Sequence, residues 1–208
     1  DSNAMKTIIE PMKDFSIIMG TYSYSSILNI LLVLAVEKVS RIGAAQNHHI
    51  VYTIHGILDA AYDLRGYVIG WYIFRLLYFN PPPPAISTYN FNNFINYLEQ
   101  FATAYLDGKS KTDIINLIIG LPARPERNNI QAAANTELAK HGSTPFSVFI
   151  AIASEMVKEI AKNIPAHRAD AAAMATLVKN SAKKIEKFCH TFLYSIRHAR
   201  NSIPDSEP

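Results

Sequence analysis

Apolar residues recur at intervals of three and four along nearly the whole chain, the period of an α-helix that buries one side. A helix opening near His48, after a cap at Asn47, puts Ile50, Ile54, Ile57, Ala61, Leu64 and Val68 on one face. Before it, Ser25 or Ser26 caps a helix that runs to about Arg41 and stops at Gly43. Gly66 and Gly70 predict a kink or break, because glycine weakens a helix interior. From Val68 to Phe79 the chain is apolar on every side apart from Arg75, the pattern of a helix buried in a core or in a homodimer contact. Arg75 then needs a carboxylate, for which Glu37, Asp59 and Asp63 are candidates.

Pro81 to Pro84 end that helix, since proline has no N–H to donate and its ring clashes with the preceding turn. This is the best boundary in the chain, and the run reads as a stiff linker. It divides a helical half at 5–80, across a Pro-rich segment at 81–87, from a second half at 88–202. Residues 203–208 form a polar tail with the composition of a disordered end, and 1–4 read as an expression-tag remnant. The two halves are expected to form one globular unit.

In the second half, Asn90 caps a helix with the stripe Phe91, Phe94, Ile95, Leu98, Phe101, Ala102 and Tyr105, which Gly108 ends. Ser110 with Asp113 reads as a capping box for a short helix to Gly120. Leu121 to Asn129 carries two prolines and three charged residues and predicts a loop. A modest helix runs to Lys140 and closes at Gly142. Thr144 and Pro145 are a cap and first-turn pair for a helix with Phe146, Phe149, Ile150, Ala153, Met156, Val157 and Ile160 on one face. Pro165 opens a last helix from about His167 to Ala199. Strand-like alternation is absent at useful length. The fold class is all-α: an irregular helical bundle of about six to eight helices with a long C-terminal helix.

Composition agrees with a globular chain: 49% hydrophobic, 18% charged and only 8 Gly. A net charge of +3 does not by itself call for nucleic acid. The single cysteine, Cys189, rules out an intramolecular disulfide. It points with Ile185, Phe192 and Ile196 into an apolar face, as a buried inert thiol does. Phe15 to Val36 lacks charge, but Thr21, Tyr22, Ser23, Tyr24 and Asn29 interrupt it, so a buried helix fits better than a membrane span. Glu10 and Asp14 occupy the place of a signal peptide's basic region. The expected location is cytoplasmic in the producing cell, or inside a host cell after secretion.

Two sets of residues could carry chemistry. His48, Tyr52, His55, Asp59 and Asp63 fall within an arc of about 80° on a helix, opposite the apolar face. Imidazoles and carboxylates so placed suit a metal or an acid–base pair, and they also make an ordinary solvated face. No metal set and no cofactor motif is complete. Arg41 and His48, with six residues between, resemble the Arg-x(4–6)-His signature of HEPN ribonucleases. That resemblance implies RNA cleavage in a dimer, although Ile42 stands where that family shows a polar residue.

The second set lies on the last helix. Lys179, Lys183, Lys187, His190, Tyr194 and Arg197 share an arc of about 80°, flanked by Lys184, His198 and Arg200. A basic amphipathic helix suits an acidic protein, an anionic membrane or, less well here, nucleic acid. It is also what a lysine-rich solvated face looks like.

The Asn-, Ile- and Lys-rich style, the helical body and the tail Asn201 to Pro208 with Asp205 and Glu207 resemble small effectors that bacteria deliver by type IV secretion. Together these features point first to a non-enzymatic helical interaction protein, with another protein as its partner. The alternatives are a metal-dependent hydrolase or HEPN-like ribonuclease using His48, His55 and Asp59, and a peripheral binder acting through the basic helix.

Overall fold

In a computed structural model of the chain, residues 48–77 and 88–203 are described. The expected first helix, the Phe15 to Val36 stretch, Arg41, the Pro81 to Pro84 run and the tail from 204 lie outside them, as do the side chains of His48 and Arg75. The fold is all-α. Its helices in chain order are α1 (His48–Asp63), α2 (Arg65–Leu77), α3 (Thr88–Leu106), α4 (Lys111–Asn116), α5 (Pro125–Leu138), α6 (Pro145–Lys162), α7 (Ala171–Asn180) and α8 (Ala182–Asn201). Short 3-10 turns follow α4, at Leu117–Gly120, and precede α7, at Arg168–Asp170. No strand occurs among the described residues. The chain divides into two compact units: the described residues 48–68 with 188–203, and Ile69–Lys187.

In the first unit the face expected of α1 is the buried one: Ile54, Ile57, Ala61, Leu64 and Val68, joined by Leu58. The last turns of α8 bury Cys189, Phe192, Ile196 and Ala199. The break expected at Gly66 and Gly70 falls instead at Leu64, and the helix passes through both glycines. Even at Leu64 the ladder holds, with Leu64 N donating to Ala60 O at 3.0 Å and Val68 N to Leu64 O at 2.9 Å. Arg65 follows directly. Its side chain is buried, donates to the carbonyl of Tyr62 at 2.9 Å and lies 3.9 Å over that ring.

The second unit is built around α6. Its start is held by a capping box: Ser147 N donates to Thr144 Oγ1 at 3.0 Å, and Thr144 N to Ser147 Oγ at 2.8 Å. The single apolar face expected of α6 is too narrow a description. Val148, Ala151, Ile152 and Ala161 are buried as well as Phe149, Ala153 and Val157, because α3, α4, α5 and α7 all pack on this helix. A helix apolar nearly all round belongs in the middle of a bundle. The rings of Tyr105 and Phe149 stack at 5.8 Å, which fixes the end of α3 against α6.

Three boundaries differ from expectation in this unit. Helix α3 starts at Thr88, so Asn90 sits in its first turn, where the N–H groups have no intrahelical partner and a short polar side chain is tolerated. Helix α5 starts at Pro125, inside the stretch expected to be a loop. Proline is preorganised for the first helical position and Glu126 suits the positive end of the helix dipole. Arg127 Nη1 then closes the preceding turn, donating to the carbonyls of Ile119 and Leu121 at 3.3 and 3.2 Å. The last helix is not continuous from His167. A 3-10 turn and α7 come first, and Ser181 interrupts at φ −93° and ψ 5°. Asn180 and Ser181 are both residues whose side chains compete with helical hydrogen bonds. Gly108 and Gly142 end their segments at φ 75° and 79°, left-handed conformations that glycine adopts without strain.

Of the segment expected to be buried, Val68, Ile69, Trp71, Ile73, Phe74 and Leu77 have little or no exposure, Tyr72 and Leu76 are half-buried, and Tyr78 and Phe79 lie outside the described residues. Gly70 faces Ile95 of α3. A methyl group there would meet Ile95 Cγ2 at 3.6 Å, ordinary contact, so α2 and α3 approach closely but not too closely for alanine.

Candidate functional site

A cleft of about 560 Å³ runs along α6 between α5 and α7, inside the Ile69–Lys187 unit. Helical spacing builds it. Ser147, Ile150, Ala151, Ser154, Glu155 and Lys158 recur at three and four and so form one stripe of α6. Ala133, Thr136, Glu137 and Lys140 do the same on the α5 side, and Ala172, Ala175, Thr176 and Lys179 on α7. The floor is small: Ala151 and Ala175 are buried and fill little volume. The size falls within the range of about 300–1,000 Å³ typical of ligand sites.

The rim carries the charge. Glu137 is held by Lys140 at 3.4 Å. Lys158 and Lys179 have no ion-pair partner among the described residues. Burial pushes the Glu155 carboxyl above its usual range, and a hydrogen bond with Glu159 pushes the same way. Lys158 and Lys162 oppose both effects. Glu159 is itself engaged, accepting from Asn129 Nδ2 at 3.0 Å and Lys162 Nζ at 3.2 Å. At the bottom, Ser154 is 1% exposed, and its hydroxyl has no hydrogen-bond partner among the described residues.

The residues singled out from sequence lie elsewhere, apart from Lys179. On α1, His55 is half-buried, and Tyr52, Asp59 and Asp63 are exposed. Asp59 Oδ1 accepts from Arg200 Nη2 at 2.7 Å. Among the described residues no three His, Cys, Asp or Glu side chains come together as metal ligands. Of the basic set, Lys179, Lys183, Lys184 and Lys187 are exposed in the Ile69–Lys187 unit. His190, Arg197 and Arg200 are exposed in the other unit, where Arg200 is committed to Asp59. Among the described residues no helix is long and apolar enough to cross a membrane.

Sequence inspection overlooked Ser154, Glu155 and Lys158. The signal was a Ser-Glu pair following the wholly apolar run Val148 to Ala153, a polar interruption in a helix otherwise fit for burial. Comparison with protein-family models, curated proteins and solved structures finds no match to this chain.

Proposed function

We propose that the chain is a non-enzymatic helical interaction protein that docks another protein in the α5–α6–α7 cleft, and that it acts as a bacterial effector delivered into a host cell. The cleft carries the first part of this proposal: a ligand-sized concavity with an apolar floor, charged walls and a few placed polar groups. Binding is favoured over catalysis by how the carboxylates are occupied. Asp59 holds Arg200, Glu137 holds Lys140, and Glu159 holds Asn129 and Lys162. Each of these serves the fold where a hydrolase would need a free base, which leaves Glu155 as the cleft carboxylate without an ion pair among the described residues. Support for delivery comes from the composition and from the tail with Asp205 and Glu207.

The docking part is tested by placing the photo-crosslinker p-benzoylphenylalanine at Thr176 or Thr136, on opposite walls of the cleft, and at Asn116 on α4 as a control. Discrete adducts in host cells from both walls and none from Asn116 are expected. No adduct, or the same adducts from all three positions, would overturn docking. For delivery, a reporter fused to the full chain should reach host cytosol in a secretion-dependent way and fail to do so once residues 201–208 are removed. Translocation that ignores the tail, or none at all, would remove the effector reading.

A further inference from the structure

Ile119 is 81% exposed, the most exposed large apolar side chain among the described residues. A lone apolar side chain in water is common and by itself means nothing. This one stands at the tip of a braced turn. Leu121 N donates to Ile118 O at 3.0 Å, and Arg127 Nη1 donates to the carbonyls of Ile119 and Leu121 at 3.3 and 3.2 Å. The tip is clear of the surrounding fold, since a methyl group on the next residue, Gly120, would meet nothing within 4 Å. A knob whose backbone is already fixed loses little freedom when a partner covers it.

Beside the turn lies an open groove of about 200 Å³ between the start of α5 and the end of α6, walled by Tyr97, Leu121, Pro122, Ile130, Met156 and Ile160. Leu121 and Arg127 belong to the turn and to the groove, so the two are neighbours on the surface of the Ile69–Lys187 unit. The groove shares no lining residue with the α5–α6–α7 cleft. A cavity of about 150 Å³ already accepts benzene. This one therefore has room for one branched aliphatic side chain, and not for a length of folded chain. The charges along it cancel, with Arg124 and Arg127 against Glu126 and Glu159. A face of one sign would repel its own copy, and this face does not.

We infer that this face is a contact between two copies of the chain, in which Ile119 of each copy seats in the groove of the other. A surface that carries both a projection and a hollow to match it pairs with itself about a two-fold axis, because each contact is then made twice. The balanced charges fit the same reading: they favour no strongly charged partner and allow the face to meet its like. The contact is small, so the dimer is weak and forms reversibly with concentration. It stands independently of docking in the cleft.

Sedimentation velocity on the full chain across a concentration series tests this. Ile119→Glu removes the knob, and Pro122→Trp closes the groove, each at an exposed position. Circular dichroism confirms that both variants fold. The wild type is expected to pass reversibly from monomer to dimer as concentration rises. Each seated isoleucine is worth about tenfold in affinity, so either variant, which loses both seats, should self-associate about a hundredfold more weakly. Mixing the two variants is the decisive arm. The groove of Ile119→Glu and the Ile119 of Pro122→Trp are both intact, so one seat re-forms. With one variant fluorescently labelled, the mixture should associate about tenfold more tightly than either variant does with itself. A chain that stays monomeric at every concentration, a dimer indifferent to Ile119→Glu, or a mixture that gains nothing over its components would each overturn the reciprocal contact.

Discussion

Arg200 Nη2 lies 2.7 Å from Asp59 Oδ1, so an exposed acidic member of the histidine-bearing face of α1 is paired with a cation from the end of α8. Both side chains remain about half exposed, at 42% and 53%. Water and salt therefore screen the pair. A double-mutant cycle of Asp59→Ala and Arg200→Ala should give a coupling of about 0.2–1 kcal/mol, shrinking as salt is raised. Added zinc or manganese should leave the melting temperature unchanged. A coupling above about 2 kcal/mol, or stabilisation by metal that His55→Ala abolishes, would restore the case for a site on this face.

Glu155 makes stability depend on pH in a direction opposite to that of most carboxylates. Its folded pKa is raised above the ordinary 4.5 by burial first and by Glu159 second, so folding favours the protonated form. The associated stability is fully present below the unfolded value and is lost as pH rises through the folded one. Glu155→Gln keeps the uncharged shape. It should match the wild type in acid and become the more stable of the two towards neutral pH, as read by thermal melts across that range. A variant less stable than wild type at neutral pH would mean that the ionised carboxylate is held favourably by Lys158 and Lys162.

The capping box of α6 is exposed, so its contribution is separable from packing. Thr144→Ala should cost about 1 kcal/mol, or roughly 2–4 °C in melting temperature, while Thr144→Ser should retain nearly all of it. An unchanged melting temperature for Thr144→Ala would show that tertiary contacts alone hold the start of α6.

Gly70 is a site where a methyl group fits. It would lie 3.6 and 3.7 Å from the side chain of Ile95 and 3.8 Å from its carbonyl oxygen. Gly70→Ala should therefore stabilise by about 0.5–1 kcal/mol, through lower chain entropy in the unfolded state, measured by denaturant unfolding with unchanged slope. Destabilisation would mean that α2 and α3 need the bare backbone at this crossing.

Much of the fold was legible in local signals. The period of Ile54, Ile57, Ala61 and Leu64 placed the buried face of α1, and the spacing of Ile95, Leu98, Phe101 and Ala102 placed that of α3. Ser110, Thr144, Gly108 and Gly142 marked ends because cap chemistry involves residues within one turn of each other. Cys189, Ile185, Phe192 and Ile196 were assigned to the inside for the same reason.

What escaped was set by neighbours distant in sequence. That α6 is the centre of its unit depends on four other helices converging on it, a fact that one helix's apolar pattern does not carry. Pro125 could open a helix or end one, and the packing of α5 on α6 decided which. Arg200 read as a free cation because its partner, Asp59, lies on a helix far away along the chain. The cleft is the clearest case. Ser154 and Lys158 belong to no motif in the sequence, Lys179 reads there only as one member of a basic stripe, and the space they line exists only once α5 and α7 pack against α6 with alanines facing inward. Periodicity is a property of a single helix and survives in the sequence, whereas a cavity is a property of the gap between helices and forms only when they meet.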